Sequence, residues 1–420
     1  MVHRLRSRGR AARLRGARPA RVGLAVAIVA GAVLSTLSGS SAAFASGSWS
    51  APTRIDSGGA LTSVSCPNVK FCVAVDGSGN AVVHKRNNTW AAPDPVDAGD
   101  GGLSSVSCAD ALFCMAVDAV GSEVRYAYGT WFHADPIDPG VALDAVSCPF
   151  SKLCVALDAA GNELTYNGTV WSAPTSIDPG NIPVGVSCVT AYFCVAIDQS
   201  DNALTYNGTS WSSPTSIDSG ATLTGLACAT ASSCVAVDNN GNALSYDGVS
   251  WSSPTSVDPG QALDAVSCAP ASLCVAVDNN GDALTYDGVS WSSPTSIDSS
   301  NPLVGVSCAT ENYCAAVDSS GHGLTFPPPI AIITASLPSG VVHGHYSTPL
   351  SATGGNPPYK WLAGLPRGLK VNRNTGVISG IPRMMGTFPV TVILRDAKIR
   401  ISGRPSTQNR VVAHLTITIT

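Results

Sequence analysis

The stretch ACATASSCVAVDNNGNALSYDGVSWSSPTSVD, Ala227 to Asp258, returns forty residues later as SCAPASLCVAVDNNGDALTYDGVSWSSPTSID, Ser267 to Asp298. A unit repeated at this period buries its apolar face only by stacking on its neighbours, which points to a propeller or a solenoid. Tryptophans mark the period: Trp49, Trp90, Trp131, Trp171, Trp211, Trp251 and Trp291 lie 41, 41, 40, 40, 40 and 40 residues apart. Within one unit, LTGLAC, CVAVD, NALSYDG and SWSSPTSVD read as four short strands, alternating in polarity and separated by turn residues. DNNG, Asp238 to Gly241, has the Asp and Gly of a type I turn between the second and third strands. The pattern recurs at Asp76, Asp118, Asp158, Asp278 and Asp318, and the fourth unit departs from it with DQSD, Asp198 to Asp201.

The phase of the repeat separates an open array from a closed ring. The last unit ends at Phe326 without a Trp strand, whereas Ser48 to Asp56 supplies a Trp strand with no unit of its own. Pairing the two ends completes a seventh blade and removes exposed sheet edges. The residue preceding the strand-end Val or Leu is always small (Ser63, Ser105, Ala145, Gly185, Gly225, Ala265, Gly305), as crowding around a propeller axis requires. The fold expected is all-β: a seven-bladed β-propeller over residues 46–326, a proline linker over 327–329 and an immunoglobulin-like β-sandwich over 330–420. Residues 1–45 carry eight arginines, no acid, an apolar run from Leu24 to Leu37 and AFA at Ala43 to Ala45, the pattern of a signal peptide. The run is shorter than the roughly 20 residues a membrane span needs, so no stable membrane insertion is expected after cleavage.

The fourteen cysteines form seven pairs at one spacing: Cys66 and Cys72, Cys108 and Cys114, Cys148 and Cys154, Cys188 and Cys194, Cys228 and Cys234, Cys268 and Cys274, Cys308 and Cys314. In an exported chain these read as seven local disulfides, each stabilising its hairpin by roughly 2–3 kcal/mol. Charge is segregated, with 6 basic and 27 acidic residues over 46–326 against 10 basic and 1 acidic over 327–420. An acidic ring excludes nucleic acid as a partner.

After FPPP at Phe326 the repeat stops. The elements GGNPPYKW, LPRGL, TGVISGIP and GTFPVTV, in order between Leu337 and Ala397, resemble the immunoglobulin-like domain of bacterial surface and secreted proteins, whose fold is cadherin-like. The resemblance implies an adhesive or spacer module. Its only acid is Asp396, and Asn372, Arg373 and Asn374 precede TGVISG, so calcium is not expected there. The repeat region resembles disulfide-containing repeat proteins secreted by actinobacteria and lacks the SxDxGxxW turn of sialidases and propeller lectins.

Near-identical blades favour a binding protein over an enzyme, since equivalent sites give avidity toward a repetitive ligand. The repeat region holds only His84, His133 and His322 and only Arg54, Arg86 and Arg125, too few for a site of distinct, differently tuned groups. No catalytic residue is therefore assigned. The ligand candidates are Tyr166, Tyr206, Tyr246 and Tyr286 with the tryptophans that follow, although such tryptophans also pack against neighbouring blades. Asp238, Asp258, Asp278 and Asp298 stand for two aspartates per unit expected to ring one face, where calcium would compete with simple turn chemistry. The function expected is that of a secreted, monomeric, non-catalytic adhesion protein. Its propeller would hold an extracellular glycan or cell-envelope polymer, and the basic domain would be spacer or anchor. A calcium-binding envelope scaffold and a propeller glycoside hydrolase or lyase are the alternatives.

Overall fold

In the computed structural model, which describes residues 49–85, 89–97, 101–269, 273–327, 330–355, 358–396 and 410–420, Asp238 organises the turn that sequence assigns to it. Its Oδ1 accepts the Asn240 and Asn242 N–H groups at 2.8 Å, and its Oδ2 accepts the Asn242 side-chain amide at 2.7 Å. The second strand, Ser233–Asp238, is thereby folded back as the third, Asn242–Tyr246. The first strand, Leu223–Thr230, pairs with the second on the other side, and Thr255–Ser256 completes an antiparallel sheet of four. Six further sheets repeat this order, two of them with an extra short strand.

We number the blades by their innermost strands: Leu61–Asn68, Leu103–Asp110, Leu143–Phe150, Pro183–Thr190, Leu223–Thr230, Leu263–Ala269 and Leu303–Thr310. Each innermost strand packs against those on both sides, and that of blade 1 against that of blade 7, which closes the ring. The seventh blade takes its outer strand from the N-terminal side: Thr53 pairs with Gly323 and Arg54 with His322. Ser50 gives its N–H to the Thr325 carbonyl at 2.9 Å. The expected signal peptide and the linker prolines 328–329 lie outside the described residues.

The core is divided among the seven junctions. Between blades 7 and 1 it comprises Ile55, Leu61, Val64, Ala74, Val82 and Val317 with Cys66 and Cys72, and the other junctions repeat the recipe. All fourteen cysteines form the local disulfides read from their spacing, six residues apart in sequence. The small residues of the innermost strands lie where expected: a Cβ on Gly225 would come within 3.2 Å of the Ala265 backbone in the next blade.

The C-terminal domain packs two three-stranded sheets face to face. Tyr346–Pro349, Leu369–Val371 and Val377–Gly380 form one, and Lys360–Gly364, Gly386–Arg395 and Arg410–Ile419 the other. Tyr346 and Ile378 from the first meet Trp361, Val392, Leu394 and Ile417 from the second in a single core. This is the sandwich expected from the sequence resemblance.

The irregular turn of blade 4 carries a consequence for stability. Gly241 has φ +77°, and a Cβ there would lie 1.8 Å from the Asp258 carbonyl oxygen. Its own carbonyl accepts the Val257 and Asp258 N–H groups. Asp201 holds the same place with φ +67°, and its carbonyl accepts only the Ile217 N–H. Relieving a left-handed non-glycine residue is worth about 1–2 kcal/mol. Asp201→Gly should therefore raise the melting temperature by about 2–4 °C in calorimetry; an unchanged or lower transition would show that the turn is not strained.

Candidate functional site

The aspartates expected to ring one face do lie together, but not on the surface. Asp76, Asp118, Asp158, Asp198, Asp238, Asp278 and Asp318 are buried, as are Asp56, Asp97, Asp178, Asp218, Asp258 and Asp298. The first set accepts turn N–H groups through Oδ1, as Asp238 does. The second set ends the outer strand of one blade and places its carboxyl beside that of the first set in the next. Asp56 meets Asp76, Asp138 meets Asp158, Asp178 meets Asp198, Asp218 meets Asp238, Asp258 meets Asp278 and Asp298 meets Asp318. Burial and the neighbouring carboxyl both disfavour ionisation of the outer-strand aspartate. Burial first, then the partner carboxyl, pushes Asp138, Asp218 and Asp258 up to about 6.

The metal candidates Asp238, Asp258, Asp278 and Asp298 are thus turn caps and junction groups. Asp298, Asp318 and His322 bring one ligand atom each within 4.8 Å of one another, the only such group among the described residues. His322 stands where blades 1, 3, 4 and 5 have Asn80, Asn162, Asn202 and Asn242, whose side chains donate to the same aspartate. With Nδ1 as donor, His322 makes that bond to Asp318 Oδ2 at 2.7 Å, so turn chemistry accounts for the triad.

The tyrosines divide. Tyr206, Tyr246 and Tyr286 are half-buried, with ring centroids 5.6, 5.4 and 5.3 Å from Trp211, Trp251 and Trp291. Tyr166 departs from the set: it is only 3% exposed, and its hydroxyl accepts the Arg125 guanidinium N–H at 3.0 Å. The tryptophans pack against the preceding blade, yet remain half-buried and form one wall of a groove beside it.

Two such grooves are equivalent. One, of about 610 Å³, lies between blades 5 and 6, with Ala243 and Thr255 facing Tyr286, Trp291 and Ser292. The other, of about 600 Å³, lies between blades 4 and 5, with Ala203 and Thr215 facing Tyr246, Trp251 and Ser252. Val289 and Val249 stand at the rims, 85% and 88% exposed, on turns whose Asp287 and Asp247 carboxylates are held below the usual range by N–H groups of those turns. A third groove, of about 470 Å³ between blades 7 and 1, is chemically different, lined by Arg54, His84, Trp90 and Gly323. Burial pushes His84 down to about 4, so its ring is neutral. Sequence reasoning missed the floors of these grooves. The signal was the residue after the turn position of the third strand, which is Ala81, Glu123, Glu163, Ala203, Ala243, Ala283 and Gly323 around the ring.

Residues 328–420 match the family model described as "Putative Ig domain". No curated protein matches the chain. Among solved structures it is similar to YCF48 bound to D1 peptide, at 13% identity and TM-score 0.56 over 68% of this chain and 98% of that one. It is also similar to the WD40 β-propeller domain of Doa1, at 11% and 0.56 over 67% and 97%. YCF48 from Cyanidioschyzon merolae matches at 14% and 0.53 over 67% and 99%. At such identities the likeness establishes the fold, a β-propeller, and nothing of its ligand.

The outer-strand carboxyls Asp56, Asp138, Asp178, Asp218 and Asp258 make stability depend on pH. Their pKa is higher in the fold than in the unfolded chain, so the fold holds protons more tightly, and the stabilisation present below about pH 4 is lost as pH rises through about 6. His84 acts oppositely, its contribution falling as pH drops from 6.5 toward 4. The more numerous carboxyls should dominate, giving a higher melting temperature at pH 5 than at pH 7.5 at matched ionic strength. Asp258→Asn, uncharged throughout, should flatten that difference and melt no lower than the native protein at pH 7.5; an unaltered pH profile would exclude a raised carboxyl pKa at this junction.

Proposed function

We propose that the chain is a secreted, non-catalytic binding protein whose propeller holds a neutral glycan in the grooves between blades. The observation that carries this is the recurrence of one groove, of about 600 Å³ and of the same lining, at successive junctions. Each offers what a sugar ring uses, an aromatic wall and several hydroxyl groups on a small-residue floor. Charge supports a neutral ligand, because the acidic ring repels an anionic one. Weak equivalent sites gain strength toward a repetitive polymer. The sandwich domain serves as spacer and, with its excess of basic residues, as a tether to anionic envelope polymers.

Two observations support export. All fourteen cysteines are oxidised in pairs, the state expected in an oxidising compartment, and no helix of the described residues is long and apolar enough to cross a membrane. Against catalysis stands the use already made of the acids: those of the blade ends are buried beside one another and bonded to turns, out of reach of a substrate.

A glycan array probed with residues 46–420 should give signals for neutral oligosaccharides, and calorimetry should then show more than one site per chain. A folded protein silent across the array would overturn the assignment. The calcium alternative has its own outcome: since the turn aspartates are already bonded, a chelator should leave the melting temperature unchanged. A rise in calcium above that in sodium chloride of equal ionic strength would instead assign cation sites to the junctions.

A further inference from the structure

Trp211 gives its indole N–H to Glu163 Oε2 at 2.6 Å, and among the described residues it alone of the ring tryptophans has a protein acceptor. Glu163 belongs to the third strand of blade 3, opposite Thr175 of the outer strand. The same register places Ala203 opposite Thr215, Ala243 opposite Thr255 and Gly323 opposite Thr53. That this position points at the next blade's indole is visible at Gly323, where a Cβ would lie 3.3 Å from Trp90 Nε1. Ala203 and Ala243, one methyl each, leave the space before Trp251 and Trp291 that forms the two large grooves. Glu123 stands before Trp171, with its carboxyl Oε2 and the indole nitrogen both buried though not hydrogen-bonded, so that indole is covered as well.

We propose that at the four junctions from blade 2 to blade 6 this position decides which bind: Glu123 and Glu163 close theirs from within, while Ala203 and Ala243 leave two sites open to a sugar whose oxygen takes the indole N–H; the Ala81 junction is built differently, with Asp94 opposite Ala81 and Trp131 Nε1 buried. The inference rests on the glycan assignment above and deepens it. Glu163 shows the bond an incoming ligand would make, because its carboxylate oxygen is an acceptor within hydrogen-bond distance of the indole N–H. A neutral hydroxyl can replace it without bringing a second charge into an acidic ring. The chain therefore holds closed and open versions of one groove side by side.

The eight tryptophan indole N–H signals of the nitrogen-15-labelled full chain read the test directly. Probes are D-glucose, D-galactose, D-mannose and N-acetyl-D-glucosamine, each added alone. With a binding sugar, two of the four signals of Trp171, Trp211, Trp251 and Trp291 should move, those of Trp251 and Trp291. Ala243→Glu, a residue the same strand register already accepts at Glu163, should leave only Trp251 responding, and Ala203→Glu only Trp291. Glu163→Ala should add Trp211 as a third, and Glu163→Gln, which keeps an acceptor oxygen, should not. If sugars move the signals but the variants leave the responding set unchanged, the position does not control the grooves. If no sugar moves any signal, the glycan assignment falls, and indole proton exchange still judges the position. Exchange should slow for Trp291 in Ala243→Glu and quicken for Trp211 in Glu163→Ala; rates unmoved in both would overturn it.

Discussion

The Cys66 N–H is bonded to Ser307 Oγ at 2.9 Å, across 241 residues of chain, and the remaining structure depends on the closure to which this bond belongs. Five more links of the same kind run round the axis: Cys108 to Ser65, Cys148 to Ser107, Cys188 to Ser147, Cys228 to Ser187 and Cys308 to Ser267. Ala227 interrupts the belt at the one junction that lacks the serine. Each bond satisfies an innermost N–H that would otherwise face a crowded axis without a partner, and a buried orphan of that kind costs about 1–3 kcal/mol. Closure also determines where the core can be. A sheet of four short strands has two faces to cover, and only a ring gives every blade a neighbour on both.

The same closure explains why so many acids can be buried. At the junctions, an outer strand must cross from one blade to the next innermost strand, which leaves turn N–H groups pointing inward. Aspartate answers two needs at once. Its oxygens accept the turn N–H groups, and the carboxyl stands beside the aspartate of the adjoining blade, where the raised pKa of a group such as Asp258 eases the repulsion as pH falls. The disulfides act at the opposite end of each hairpin, joining the first strand to the second beside the junction core. Each blade is therefore fixed at both ends by its own residues, and the junctions align one blade with the next.

Much of this was legible in the sequence for physical reasons. Tryptophan spacing gave the period, the Asp–Gly turns gave the strand order, and the complementary deficits at Ser48–Asp56 and Phe326 gave closure, because each reflects local geometry that side-chain type reports. Burial of Asp258 against Asp278 was not legible: a carboxyl that ends a strand looks the same in sequence whether it meets solvent or a second carboxyl from the next blade. Tyr166 shows the same limit from the other side. It shares its motif with Tyr206 and differs only through Arg125, a residue of another blade that engages its hydroxyl.

Repetition itself conceals the positions that matter for binding. A residue that recurs in nearly every unit is one the blade or junction requires, as the turn aspartate, the paired cysteines and the Trp do. Such residues would be present whether or not the ring bound anything. A groove between blades becomes specific only where a position is free of those requirements, and the third-strand residue before the indole is such a place. It tolerates glutamate, alanine and glycine because its side chain points across the junction rather than into a turn or sheet bond. The break in the repeat at that register, and not the conspicuous aromatic and acidic repeats, is where a ring of near-identical blades can make one junction differ from the next.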